Sequence, residues 1–369
     1  MKVLILGGGI TGLSAAWFLS HQHPNAQITL LEKTNRLGGW IRTCHEGGFL
    51  FEQGPRTFPL SRSPHLLALI RDLGLPILSS APQKRYLFHR GKLRALGTFI
   101  PRLIPYLIRE LFISPSNAPD ESIYDFAARR FSPSIAETLF DPLTLGIYAG
   151  DIRKLSLRSC FPILYQWERE KGSLLRGLCS AAKQTKGLFT IQEGMESLVH
   201  ALKQQLAIDI VLNCSVEKID VCKVHAGGKV WEADHVISAL PPSLPMKSVW
   251  VVNLAFEGDV LPKKGYGYLV PSRAGQTVLG VLFDSSIFPQ QNTRGETRLT
   301  VMLRAEEPEP LQTALSALHR HLGLATRPIY SSALFAQNAI PQFEVGCGYA
   351  GGISVDACIE RGKKLVEGI

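Results

Sequence analysis

The chain has 369 residues, 45% of them hydrophobic and 19% charged, with a formal net charge of +9. That balance excludes a disordered or fibrous chain and leaves room for two or three domains with sizeable cores. No run of eighteen residues is both strongly apolar and free of glycine, which argues against a membrane-spanning helix; seven scattered cysteines without a C-x-x-C pair argue against a disulfide framework or a zinc site.

Val3-Leu4-Ile5-Leu6 reads as a strand that runs into Gly7-Gly8-Gly9-Ile10-Thr11-Gly12 and then a helix. A second strand, Ile28-Thr29-Leu30-Leu31, ends at Glu32, twenty residues past Gly12, with Lys33 after it. Gly7 suits a tight turn, Gly9 lets backbone approach a pyrophosphate, and Gly12 lets the helix pack on the strand. The helix start offers N–H groups to phosphate, and Glu32 offers acceptors to a ribose. Strand, glycines, helix, strand and acid in register predict a dinucleotide site. Met1-Lys2 before an apolar run mimics a leader, but the glycines sit where a phosphate turn needs them, so no cleavage is expected.

Ser63–Leu73 reads as a helix. From 81 to 190, Pro82, Pro101, Pro105, Pro115, Pro119, Pro133 and Pro142 interrupt short apolar helices, with Tyr86-Leu87-Phe88 as a strand entering them. Seven cations between Lys84 and Arg109 meet no acid, and Leu96, Ile100, Ile104, Ile108 and Phe112 interleave with them. A solvated helix packed on the core and a face lying on an anionic membrane weigh evenly for this run; no nucleic-acid motif accompanies it. Helix 194–205 and strands 208–212 and 216–221 follow, then a buried strand at 236–240 stopped by Pro241-Pro242. Strands at 249–256, 267–270, 278–283 and 298–303 look antiparallel, 311–322 is helical, and 346–363 returns to glycine-rich turn and helix. The cysteines are expected reduced, as in a cytosolic compartment, and buried as small apolar residues. The histidines show no metal-ligand spacing, so no metal is expected.

Gly38-Gly39 after Glu32 resembles the second glycine signature of FAD enzymes in the amine-oxidase superfamily, which points to FAD rather than NAD. The longer segments resemble the oxygen-dependent protoporphyrinogen/coproporphyrinogen oxidases of haem biosynthesis. They are Gly54-Pro55-Arg56-Thr57-Phe58, Gly146-Ile147-Tyr148-Ala149-Gly150-Asp151, Gly265 to Pro271, Asp284-Ser285-Ser286 and Thr300-Val301-Met302-Leu303. The resemblance implies FAD-dependent oxidation of a porphyrinogen with O2 as acceptor. Six electrons and six protons would leave in three flavin cycles, with no catalytic side chain because the flavin carries the chemistry.

The resemblance also assigns residues. Arg85 matches a propionate-binding arginine, and Leu269, Leu279 and Met302 match apolar residues that clamp the pyrroles. Gly7, Gly9, Gly12, Glu32, Lys33, Gly38, Gly39, Gly54, Val216, Gly346 and Val355 match FAD contacts, Gly346 and Val355 bracketing a last glycine turn through Ala350-Gly351-Gly352. The implied fold class is α/β with α+β insertions. A discontinuous Rossmann-like FAD-binding domain takes 1–80, 191–245 and 341–369; 81–190 is a substrate and helical membrane-binding region; 246–340 is an antiparallel-sheet substrate domain. A cytoplasmic protein, peripheral on the inner membrane, is expected, and a homodimer is left open. The chain departs from the pattern after Gly346, where a helix and much of a strand are missing, which predicts a bare sheet edge. The rival readings are an amine oxidase, a carotenoid desaturase, or an inactive relative that binds porphyrin or a partner.

Overall fold

The computed structural model describes residues 1–81, 83–181, 187–349 and 352–369. Pro82, and Ala350 and Gly351 of the last glycine turn, therefore lie outside the described residues.

A parallel four-stranded sheet runs Asp209–Val211, Gln27–Leu31, Lys2–Leu6, His235–Ser238. Its central strands carry apolar residues on both faces, Val3 to Leu6 and Ile28, Leu30 and Leu31, because both faces are covered. Val3, Ile5, Ile28 and Leu30 meet the helices Ile10–Gln22, Pro64–Asp72, Glu196–Gln205 and Val355–Lys364. Leu4, Leu6 and Leu31 meet a small meander spanning Val216–Ile219, Lys223–Ala226 and Lys229–Glu232. Gly362 lets the last helix close on the first: a Cβ there would lie 2.6 Å from the Thr11 carbonyl. His235–Ser238 differs from expectation. It pairs only with Lys2–Leu6, and of its four residues Ile237 alone is buried, so it is a sheet edge rather than a buried strand.

The second sheet has seven strands, ordered Tyr330–Pro341, Met246–Phe256, Thr297–Arg304, Val278–Leu282, Gly267–Leu269, Arg85–His89, Lys92–Ala95. The expected antiparallel strands are present, but the sheet is mixed: Gly267–Leu269 lies parallel to Arg85–His89. A hairpin from the 81–190 segment thus completes the 246–341 sheet. Tyr330–Pro341 is a strand that the sequence does not predict, because its residues mix small, polar and apolar types without alternation, as an edge strand allows. Helix Pro310–Leu322 packs through Ala314, Ala317 and Leu318 on one face of the sheet. Helix Asp141–Tyr148 packs through Leu145 on the other.

The helical insertion leaves from two adjacent antiparallel strands, Ile77–Ser80 and Leu188–Ile191. A buried ion network holds it together. Arg130 Nε donates to Glu168 Oε1 (2.6 Å) and Nη1 to Glu110 Oε1 (2.9 Å), while Glu110 Oε2 accepts from Ser173 Oγ (2.7 Å). Glu110 ends helix Ile100–Glu110, so this network pins that helix by its C-terminal end. Tyr106 and Leu107 face inward; Ile100, Ile104 and Ile108 are 55, 49 and 56% exposed, and Phe112 beyond them 82%. No helix among the described residues is long and apolar enough to cross a membrane. The cysteines are not uniformly buried: Cys179 and Cys222 are exposed, on the insertion and at a hairpin of the meander.

Candidate functional site

The turn after Lys2–Leu6 is built around its glycines. Gly7 has φ +100°, a region closed to most side chains, and a Cβ on Gly12 would lie 1.9 Å from the Gly7 carbonyl oxygen. Gly9 is the N-cap of the first helix, with no side-chain cap and no acid in the first turn, and a Cβ on it would meet nothing within 4 Å. An open, uncapped, cationic helix end of this kind fits a diphosphate. Glu32 is 9% exposed and accepts from the Gly8 N–H (2.7 Å) and the Thr34 N–H and hydroxyl (2.9 and 2.8 Å), which fixes its carboxylate at the strand end. Lys33 is exposed beside it. Cys214 N–H donates to the Glu32 carbonyl (2.9 Å), so Val216 starts its strand close to Glu32.

The second glycine pair closes over the first. Gly38 N–H donates to the Gly8 carbonyl (2.8 Å), and a Cβ on Gly39 would lie 3.3 Å from the Gly9 Cα. Gly54 is as tightly required, its absent Cβ lying 1.9 Å from the Trp40 carbonyl oxygen, and the neighbouring Gln53 Oε1 is buried without a partner. An orphan acceptor beside two glycine cradles is the arrangement expected where a polar cofactor docks.

Two residues away sits a polar array that joins the Glu52–Arg56 segment to the second sheet. Arg56 Nη1 donates to Asp284 Oδ1 (3.1 Å) and Thr300 Oγ1 (2.5 Å), and Nη2 to the Glu52 carbonyl (2.8 Å); Thr300 in turn donates to Asn253 Oδ1 (2.9 Å). Glu52 is 6% exposed, its carboxylate accepting from the Met195 N–H (2.7 Å) and the Thr43 hydroxyl (3.0 Å). Burial pushes its pKa up to about 7, against these hydrogen bonds and the Arg56 charge. Glu52 is absent from the sequence reading, its available signal being an acid closing the apolar strand Phe49-Leu50-Phe51, and Thr300 enters there only within the segment Thr300-Val301-Met302-Leu303, without a role.

Strand register decides which residues share a face, because directly paired residues point the same way. One row crosses the second sheet through Arg85, Gly267, Leu282, Thr300 and Asn253. The next runs through Leu87, Leu269, Gly280, Met302 and Val251. Leu279 joins that face through a register shift between Val278 and Gly280, packing with Leu145, Val249 and Met302. Arg85, Leu269, Leu279 and Met302, far apart in sequence, therefore come to one face. Leu269 and Met302 are half-buried, Leu279 is buried and Arg85 is exposed. The Arg85 guanidinium lies 5.0 Å from the centre of the Tyr266 ring, whose hydroxyl is 2.7 Å from Thr57 Oγ1. That chain of contacts ties Arg85 to the Gly54–Phe58 segment.

Gly346 stands apart from the other cofactor candidates. Its N–H donates to Asp120 Oδ2 (3.2 Å), Val345 N–H to the Lys154 carbonyl (3.0 Å) and Ser156 N–H to the Phe343 carbonyl (2.7 Å). Backbone pairing draws segment 343–346 onto the helical insertion, so Gly346 is placed there rather than at the Gly7–Gly12 turn. Val355 opens the last helix and is buried in the core that also holds Ile10 and Leu13.

Residues 10–244 match the family described as flavin containing amine oxidoreductase. Human protoporphyrinogen oxidase is 33% identical over 421 aligned positions, which take in 93% of this chain and 88% of the human one. Coproporphyrinogen III oxidase of Bacillus subtilis (strain 168) is 26% identical over 99% of this chain and 97% of its own. A solved structure from Exiguobacterium sp. 255-15 shares the fold, with a TM-score of 0.82 at 23% identity over 100% of this chain and 98% of that one. The human alignment is longer than this chain's 369 residues, so the human protein carries segments that have no counterpart here.

Proposed function

We propose, starting from a chain that belongs to the flavin containing amine oxidoreductase family and within it to the protoporphyrinogen oxidases, that it oxidises a porphyrinogen to the porphyrin in haem biosynthesis. The observation that carries the reading is the shared face: Leu269, Leu279 and Met302 beside Arg85 suit a flat apolar ring edged with carboxylates. Bound FAD would supply the hydride-accepting chemistry, with O2 as the final acceptor of the electrons.

The residues that would hold FAD are Gly7, Gly9 and Gly12 at the diphosphate, Glu32 with Lys33 at the ribose, Val216 at the adenine, and Gly38, Gly39, Gly54 and Val355 around them. On this reading segments 1–80, 191–245 and 341–369 form the cofactor domain, although Gly346 pairs with the insertion. The sheet of 246–340, completed by the Arg85 hairpin, forms the substrate domain. Arg85, held by Tyr266 and free of ion pairs among the described residues, orients the macrocycle by a propionate. The apolar clamp excludes water and positions a methylene bridge for the cofactor, and Arg56, bonded to Thr300, ties the Gly54–Phe58 segment to this sheet.

The exposed stripe of helix Ile100–Glu110 supports a peripheral contact with an anionic membrane surface, on the cytoplasmic side of the inner membrane. Arg273 Nη2 is 3.0 Å from His89 Nδ1, and burial, then the charges of Arg273, Arg90, Arg94 and Arg102, hold that imidazole below its usual pKa. This cationic cluster adjoins the start of the apolar helix.

The test is aerobic turnover. Purified protein should be yellow, and protoporphyrinogen or coproporphyrinogen should give fluorescent porphyrin, with KM raised on the order of tenfold in Arg85→Ala. A yellow protein that turns over neither porphyrinogen would defeat the proposal.

A further inference from the structure

Arg85 is exposed, and among the described residues its guanidinium makes no ion pair and no hydrogen bond. What holds it is the Tyr266 ring, whose centre lies 5.0 Å from the guanidinium carbon. An aromatic face attracts a cation without occupying its N–H donors, so the fork stays free for a carboxylate. Tyr266 itself has little freedom. Its N–H donates to the Lys84 carbonyl (2.8 Å), and its carbonyl accepts from the Phe283 N–H (3.1 Å). Gly265 and Gly267 flank it at φ +156° and +136°; a Cβ on the first would lie 2.3 Å from the Lys84 carbonyl oxygen, and on the second 2.1 Å from that of Val281. These two bends turn the ring into the cluster of Leu188, Ile287, Phe288 and Leu282, the last of which shares a row with Arg85.

The phenol end of the same ring reaches the segment beside the cofactor candidates. The Tyr266 hydroxyl and Thr57 Oγ1 lie 2.7 Å apart. Thr57 belongs to a short stretch with two other fixed points: Arg56 Nη1 donates to Asp284 Oδ1 (3.1 Å) and to Thr300 Oγ1, and Gly54 is seated on the Trp40 carbonyl. In the same stretch Gln53 Oε1 is buried without a partner. A buried acceptor left open costs stability and loosens the segment that carries it. A cofactor group that donates to Gln53 would settle residues 53–57, and with them the Thr57 hydroxyl. Thr57 then fixes the phenol, and the phenol fixes the ring face that carries the guanidinium.

We infer that Tyr266 is a positioning residue that links the two sites: through Thr57 it makes the grip of Arg85 on a carboxylate tighter when the cofactor site is filled. Binding free energies are reciprocal, so a bound porphyrin makes the chain hold FAD tighter by the same factor. The inference rests on the porphyrinogen reading above. Its consequence is an order of assembly, because a chain without FAD holds the substrate loosely.

The experiment measures FAD affinity by equilibrium dialysis of the purified flavoprotein, without porphyrin, with saturating coproporphyrin III and with saturating protoporphyrin IX, for wild type, Tyr266→Phe and Thr57→Val. In wild type, a bound porphyrin should lower the FAD Kd about fivefold or more. Tyr266→Phe keeps the ring over Arg85 and loses only the hydroxyl, so the ratio of Kd values without and with porphyrin should fall below about twofold. Thr57→Val should do the same from the other end, and it carries the test should the phenylalanine variant not fold. A role confined to folding shifts both Kd values together and leaves their ratio unchanged. A ratio that survives either substitution, as direct contact between flavin and porphyrin would give, or a wild-type ratio near one, overturns the inference and leaves the porphyrinogen reading standing. Wild type that binds neither porphyrin overturns the porphyrinogen reading itself.

Discussion

Glu52 is the residue through which pH should enter the stability of this fold. Its carboxyl is buried between the Thr43 hydroxyl and the Met195 N–H, and its folded pKa is pushed from 4.5 to about 7. The sign follows from proton binding. Between these two pKa values the folded chain keeps the proton and the unfolded chain loses it, so this residue's contribution falls as pH rises from 4.5 to about 7 and is constant above. A shift of about 2.5 pKa units corresponds to about 3 kcal/mol. Glu52→Gln keeps the shape, accepts from Met195 N–H through its carbonyl and donates to Thr43 through its amide, but never ionises. Urea unfolding of both proteins from about pH 4.5 to about pH 8.5 should show the variant equal to wild type at the acid end and more stable by about 3 kcal/mol at the alkaline end. Other titrating groups cancel in the difference. A difference that is flat with pH, or that favours wild type at high pH, would refute the reasoning.

Gly12→Ala places a methyl 1.9 Å from the Gly7 carbonyl, so helix and strand must part by about 1.5 Å, at a cost of about 1–3 kcal/mol and more than tenfold in FAD affinity; retention of FAD through gel filtration at wild-type stoichiometry would contradict this. Ile104→Ser with Ile108→Ser should cut co-sedimentation with anionic phospholipid vesicles by about tenfold or more, because about half of each Ile remains to be buried, worth about half of the 1.5–3 kcal/mol of full burial, and leave the urea midpoint nearly unchanged because both side chains are about half exposed. An unchanged vesicle isotherm removes that helix from any membrane contact.

Sequence alone determined the features whose physics is local. Gly7, Gly9, Gly12 and Glu32 were legible because a phosphate turn constrains φ, Cβ clearance and spacing within thirty residues. The short helices between prolines were legible for the same reason, and so were the apolar strands buried on both faces. What only the tertiary structure decided depends on pairing between distant segments. The parallel contact of Gly267–Leu269 with Arg85–His89 joins segments about 180 residues apart and makes a mixed sheet where an antiparallel one was expected. Register across it places Arg85, Leu269 and Met302 on one face, which no periodicity within any single strand reveals. The edge position of His235–Ser238 and the turn of Gly346 onto Asp120 follow from which neighbours compete for backbone hydrogen bonds. Local propensity sets what a segment can form; packing of remote surfaces sets what it forms it against.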